Sequence, residues 1–174
     1  VLVLPPSESG YYSCVVPPVA SKPGASPIQV VVGTVPQNVS DFSCESNSWS
    51  NLTCAWRPDV VNYVLTNYTL QIKYDGRPGR KHPGNCPKIE YEEGYYRCSW
   101  TSHSTPAYRQ GVESFKFELT SFNKFGVNTQ VISFNHFANV RPAPPVDLRV
   151  QKLTSHKATL AWSIHYSMYH FPKN

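Results

Sequence analysis

Methionine occurs once in the 174 residues, and charged side chains make up only 16%. Helices draw on alanine, leucine, glutamate and lysine, so this poverty counts against a helical protein. No run of apolar residues approaches the roughly 18 needed to span a bilayer. The opening Val1-Leu2-Val3-Leu4-Pro5-Pro6 is too short, and lacks the basic start, for a signal peptide. Cys-x-x-Cys, Gly-x-Ser-x-Gly, His-Glu-x-x-His and phosphate-cradling glycine loops are all missing. His82, His103, His136, His156, His165 and His170 are dispersed, and Glu90, Glu92 and Glu93 read as a solvated turn. No catalytic residue, metal site or cofactor is expected.

What is abundant is proline, at 16 residues, and aromatic side chains, at 13%. That balance favours strands and proline-punctuated loops. In Asn51-Leu52-Thr53-Cys54-Ala55-Trp56, a period of two sends Leu52, Cys54 and Trp56 to one face. Tyr68, Leu70, Ile72 and Tyr74 form a second inward set, and Phe115, Phe117 and Leu119 a third. The last belongs to a strand whose neighbour, 129–134, follows the turn Asn123-Lys124-Phe125-Gly126. Runs near 38–45, 51–57, 67–74, 86–91, 95–100, 114–122 and 129–136 give seven short antiparallel strands, which predicts an all-β sandwich.

Asn38-Val39-Ser40, Asn51-Leu52-Thr53 and Asn67-Tyr68-Thr69 fit the acceptor pattern for N-linked sugar. The alternation turns Asn51 and Asn67 outward, so the strand registers agree with a glycosylated, secreted chain. In such a compartment Cys44, Cys54, Cys86 and Cys98 are expected to be oxidised, although four cysteines allow three pairings. Cys14 is the odd one. Its expected partner lies upstream of Val1, which would make the chain a piece of something longer and the lack of a leader or anchor uninformative. Tyr12 stands two residues before Cys14, as in the tyrosine corner of an immunoglobulin strand F, with 28–32 as the closing strand.

The formal charge of +5 is scattered, with one cluster at Arg77, Arg80, Lys81 and His82 in a turn-rich stretch. A solvated loop tip is the favoured reading, with polyanion or ligand contact the alternative, and nucleic acid is not an expected partner. Proline crowds 140–146, which reads as a stiff linker. Beyond it, 147–150 and 158–162 look like the first two strands of another sandwich. The expected division is therefore 1–34, the end of an immunoglobulin-like domain; 35–140, a complete fibronectin type III-like domain; and 141–174, a hinge and the start of a second. Some thirty residues of that last domain bury too little surface to fold alone.

Cys44, then Cys54-Ala55-Trp56, then Cys86 and Cys98, a strand ending in Asn123-x-x-Gly126, and the hinge Val140-Arg141-Pro142-Ala143-Pro144-Pro145 together resemble the cytokine-binding module of class I cytokine receptors. An immunoglobulin-like domain just before it is similar to the tall receptors of the interleukin-six signal-transducer type and their arthropod Domeless-like relatives. The resemblance covers nearly the whole chain. It lacks one family mark, Trp-Ser-x-Trp-Ser, which would fall past Asn174; Ser48-Trp49-Ser50 lies in the wrong domain and reads as a turn with a packed tryptophan. The resemblance implies disulfides Cys44–Cys54 and Cys86–Cys98, each contributing about 2 to 4 kcal/mol. It also implies a plasma-membrane receptor whose extracellular side binds a secreted four-helix cytokine at the inter-domain elbow. Such a receptor assembles as a homo- or hetero-oligomer and signals through a Janus kinase and STAT by a cytoplasmic tail. Elbow candidates on this basis are Tyr108, Arg109 at the rim, and Val112, and, past Trp162, Tyr166, Tyr169 and Phe171; for each aromatic the alternative is a side chain that covers the edge of its own domain. The competing readings are an adhesion ectodomain, against which the paired cysteines argue, and a soluble cytokine-binding protein.

Overall fold

A computed structural model of the chain describes residues 5–14, 26–58, 64–73 and 84–163. β1 (Gly10–Tyr12) and β2 (Ile28–Val30) pair antiparallel near the start. The middle of the chain supplies β3 (Ser40–Asn47), β4 (Asn51–Arg57), β5 (Asn67–Lys73), β6 (Gly84–Asn85), β7 (Ile89–Glu92), β8 (Tyr95–Thr101), β9 (Ser114–Asn123), β10 (Gly126–Asn135) and β11 (Val140–Arg141). They form two sheets, ordered β10-β9-β5-β6 and β11-β3-β4-β8-β7. The architecture is the all-β, fibronectin III-like sandwich that the alternation predicts, closed by two disulfides. β12 (Val146–Leu153) and β13 (Ala158–Ser163) make a separate antiparallel hairpin.

The period-two pattern builds the core. Leu52, Trp56, Leu70, Ile72, Trp100, Phe115, Phe117 and Leu119 are fully buried, each from an inward position of its strand. Burial of such a side chain stabilises by about 1.5 to 3 kcal/mol. Trp56 stacks between Phe42 and Tyr96, with ring centroids at 6.2 and 6.0 Å. Its indole N–H and that of Trp100 are buried with no hydrogen-bond partner among the described residues.

Cys44 and Cys54 face each other across β3 and β4 and are bonded, so this bridge lies within one sheet. Cys86 is bonded to Cys98 of β8. Because the Cys86 N–H donates to the Leu70 carbonyl at 2.7 Å, continuing the β6–β5 pairing, the second bridge staples one sheet to the other.

Three features depart from the sequence reading. The run expected as one strand over 86–91 is strand only from Ile89, as β7, while Cys86 before it pairs with β5 on the other sheet. Val140 and Arg141, read as linker, add a short parallel strand beside Ser46 and Asn47 of β3. Neither is proline, so both can pair, and at the sheet edge the prolines that follow cost no ladder bonds. The strand expected over 28–32 is confined to Ile28–Val30. In the β12–β13 hairpin only Ala161 is even half-buried, leaving Leu148, Leu153, Leu160 and Trp162 largely exposed.

A candidate binding surface at the linker end of the sandwich

β3 turns into β4 through Ser48, Trp49 and Ser50, with the Ser50 N–H donating to the Asn47 carbonyl at 2.9 Å. Ser48 and Trp49 both lie in the left-handed region, at φ 48° and 60°. Each such non-glycine residue costs on the order of 1 kcal/mol and persists only where its surroundings hold it. Here they do. The Ser48 N–H donates to the Arg141 carbonyl at 2.8 Å, tying the turn to the linker. The Gln110 side-chain amide donates to the Trp49 carbonyl at 2.5 Å, tying it to the loop between β8 and β9. That loop is seated in turn on β6, where the Pro106 ring fills the space a Cβ at Gly84 would need. Three segments distant in sequence thus converge on one end of the sandwich.

Beneath them runs a buried polar chain. His136 is fully buried; its Nδ1 lies 2.6 Å from the Val112 carbonyl and its Nε2 2.5 Å from the Tyr108 hydroxyl, which is 2.8 Å from Ser46 Oγ. A carbonyl can only accept, so Nδ1 carries the proton, Nε2 accepts from Tyr108, and Ser46 donates to Tyr108. Burial pushes the His136 imidazolium pKa down, opposed by the Val112 carbonyl bond. The same burial pushes the Tyr108 phenol up, opposed by Ser46. Trp49 packs edge-on against both His136 and Phe137, at 5.0 and 5.2 Å, and Phe137 is 43% exposed. Outside the buried chain, Arg141 is paired with Glu45 at 2.8 Å.

The elbow candidates differ in exposure. Tyr108 packs into its own domain, 8% exposed, where its hydroxyl finds two buried partners. Val112 is half-buried against the core and offers its carbonyl inward, while Arg109 is exposed. Tyr166, Tyr169 and Phe171, like Arg77, Arg80, Lys81 and His82, lie outside the described residues. Trp49 and Phe137 were not among the elbow candidates. The signal was present for the chain beneath them: Ile132, Phe134 and His136 continue one period-two register to the inner face.

The remaining sites are spread over the surface. Asn38 and Asn67 are exposed; Asn38 Oδ1 accepts from the Asn128 amide at 3.0 Å, and Asn51, half-buried, accepts from the Asn47 N–H at 3.3 Å. Cys14 is exposed and free. The Tyr12 hydroxyl donates to the Glu8 carbonyl four residues upstream, at 2.7 Å.

No protein-family model matches the sequence. Among curated proteins, the chain is 30% identical over 140 residues to the oncostatin-M-specific receptor subunit beta of Mus musculus, which covers 77% of this chain and 13% of that protein. It is 28% identical over 137 residues to a cytokine receptor of Drosophila melanogaster, covering 78% and 10%. To the interleukin-12 receptor subunit beta-2 of Mus musculus it is 26% identical over 142 residues, covering 78% and 15%. The chain therefore spans about an eighth of the length of these relatives. They are cytokine receptors, a non-enzymatic class, and the chain is not an enzyme but a β-sandwich segment similar to a part of them.

Proposed function

We propose that this chain belongs to the extracellular ligand-binding region of a class I cytokine receptor of the tall, interleukin-six signal-transducer type, and that the linker end of its sandwich meets a secreted four-helix cytokine. The observation that carries this is the convergence of the 48–50 turn, the 102–113 loop and the linker, held together by Ser48, Gln110 and Arg141. Strained backbone over-determined by its surroundings is a feature of binding sites. A half-exposed ring such as Phe137, backed by Trp49, is the sort of anchor in which interface energy concentrates. Arg109, exposed on the same loop, is a rim contact, and Tyr166, Tyr169 and Phe171 are candidates from the far side of the elbow.

The domain assignment accompanies it. The Tyr12–Glu8 bond has the pattern of a tyrosine corner, which supports an immunoglobulin-like domain over 1–34. The exposed apolar residues of β12 and β13 support a second fibronectin III domain beginning in 141–174. In this reading the parent sits at the plasma membrane, carries N-linked sugar on its extracellular side, forms receptor complexes, and signals through a Janus kinase and STAT. The Domeless-like assignment within the class rests on the residue resemblance together with the similarity to the Drosophila receptor.

The test is binding of the secreted ectodomain of the parent protein to helical cytokines of its own species, by surface plasmon resonance, with Phe137→Ala as the control for the surface. Saturable binding weakened by that substitution supports the reading. Binding to none of them, or binding indifferent to every residue of 48–50, 102–113 and 137, sinks it.

A further inference from the structure

The outer face of the β10-β9-β5 sheet is mostly polar, with Val131 alone in its row and one further row that carries an aromatic ring beside a valine. The outward residues run Ser133, Lys116 and Lys73 in the row toward the linker, then Val131, Glu118 and Gln71, then Thr129, Thr120 and Thr69, and last Val127, Phe122 and Asn67. Phe122 is the one aromatic ring among the outward positions of these three strands, 38% exposed, and Val127 beyond it is 63% exposed. A single exposed ring is ordinary on a protein surface; what distinguishes this one is its cross-strand neighbour. Directly opposite Phe122, on β5, stands Asn67, exposed, with Thr69 exposed on the same face to complete the acceptor triplet.

From this register we infer that Phe122 is the platform for the sugar carried by Asn67: the first N-acetylglucosamine lies over the Phe122 ring and its acetamide side reaches Val127. Directly opposed residues on antiparallel strands have Cβ atoms about 4.5 to 5.5 Å apart, so a ring attached to the Asn67 amide nitrogen begins within reach of the phenyl face. A pyranose presents several C–H bonds on one side, and the phenyl face is the negative part of its quadrupole. The occupant is named by the page itself, because the apolar row and the acceptor share one register. Asn51 lacks this arrangement: its cross-strand neighbours are Asn47 and Thr101. The inference rests on the reading of the chain as secreted and glycosylated.

The test uses the parent ectodomain secreted from eukaryotic cells. Peptide mass spectrometry reads occupancy at Asn38, Asn51 and Asn67, and calorimetry compares Asn67→Gln with the unaltered protein in three backgrounds: Phe122, Phe122→Ser and Phe122→Leu. The expected result is sugar on Asn67 and a fall in Tm of the sandwich by about 4 °C on Asn67→Gln where Phe122 is intact, shrinking to near zero where the ring is absent. NMR of the ectodomain trimmed to single N-acetylglucosamines should show sugar protons shifted upfield by the ring. The same Tm change in all three backgrounds, with no ring-current shift, overturns the inference while leaving the receptor reading intact. Sugar on Asn38 and Asn51 but none on Asn67 does the same. No sugar at any of the three sites overturns the secreted reading itself.

Discussion

The Tyr108 hydroxyl lies 2.5 Å from His136 Nε2, inside the sandwich and 28 residues away in sequence. The contact joins the loop before β9 to the strand end that leads into the linker, and Ser46 joins both to β3. Each member is satisfied only while the others stay in place. Partly broken, such a network leaves buried polar groups without partners, which is why it fixes the position of the segments above it.

Tyr108→Phe keeps the ring and removes the hydroxyl, orphaning Ser46 Oγ and His136 Nε2 together. We expect a loss of about 1 to 3 kcal/mol in folding stability, measured as a shift in the guanidinium midpoint at unchanged slope. A loss below about 0.5 kcal/mol would mean that the chain of bonds is not contributing.

Acid acts on the same group. Burial lowers the His136 pKa in the folded state, so the unfolded chain binds the proton more readily and stability rises with pH between the folded value and about 6.5. The contribution is complete above that unfolded value and is lost as pH falls below it. One proton limits the slope to about 1.4 kcal/mol per pH unit. Among the described residues, the titratable group in contact is Tyr108, which stays neutral throughout, and the rings packed on His136, Trp49, Phe115 and Phe137, carry no charge. Thermal unfolding from pH 7.5 to 5 should therefore show a decline that His136→Gln flattens. Parallel curves for the two proteins would refute it.

Much of this was legible in the sequence, for a physical reason. Strand identity and burial follow from period two, which is local, so the sequence alone places Leu52, Trp56, Phe115 and Phe117 inward, where they lie. The expected sandwich was readable in the same way, whereas the cysteine pairing came from the family resemblance, because spacing leaves three pairings open. Tyr108 was not. Whether a loop tyrosine faces ligand or core depends on a hydroxyl partner, and its partners come from Ser46 and His136, 62 and 28 residues distant. Trp49 was legible as a packed turn residue, but its place beside Phe137 depends on how the chain leaves β10.

The two disulfides close loops of similar length, 10 and 12 residues apart in sequence, although one bridges neighbours in a sheet and the other crosses between sheets. If restriction of the unfolded chain dominates, loop length decides and location does not. Cys44→Ala with Cys54→Ala, and Cys86→Ala with Cys98→Ala, should each cost about 2 to 4 kcal/mol and agree closely, by denaturant titration of the secreted protein. A markedly larger loss for the second pair would show that the cross-sheet staple acts on the folded state instead.

Phe137 and Trp49 separate binding from folding at the linker end. Phe137 is 43% exposed and packs on Trp49 and His136, so Phe137→Ala gives up only part of a ring's burial on folding, whereas an interface that covers the rest would lose its anchor. The expected outcome is a tenfold or greater rise in Kd for the cytokine, about 1.4 kcal/mol, with a smaller fall in Tm than Trp49→Ala gives. Trp49 backs Phe137 and also contacts His136 from a turn pinned by Ser48 and Gln110. Trp49→Ala should therefore lower both affinity and Tm, and Gln110→Ala, which frees the turn without removing a ring, should weaken binding through a faster off-rate. If Phe137→Ala lowers Tm as much as Trp49→Ala and leaves Kd alone, the ring is a cover for its own domain, and the binding surface must be sought on the exposed side of the 102–113 loop around Arg109.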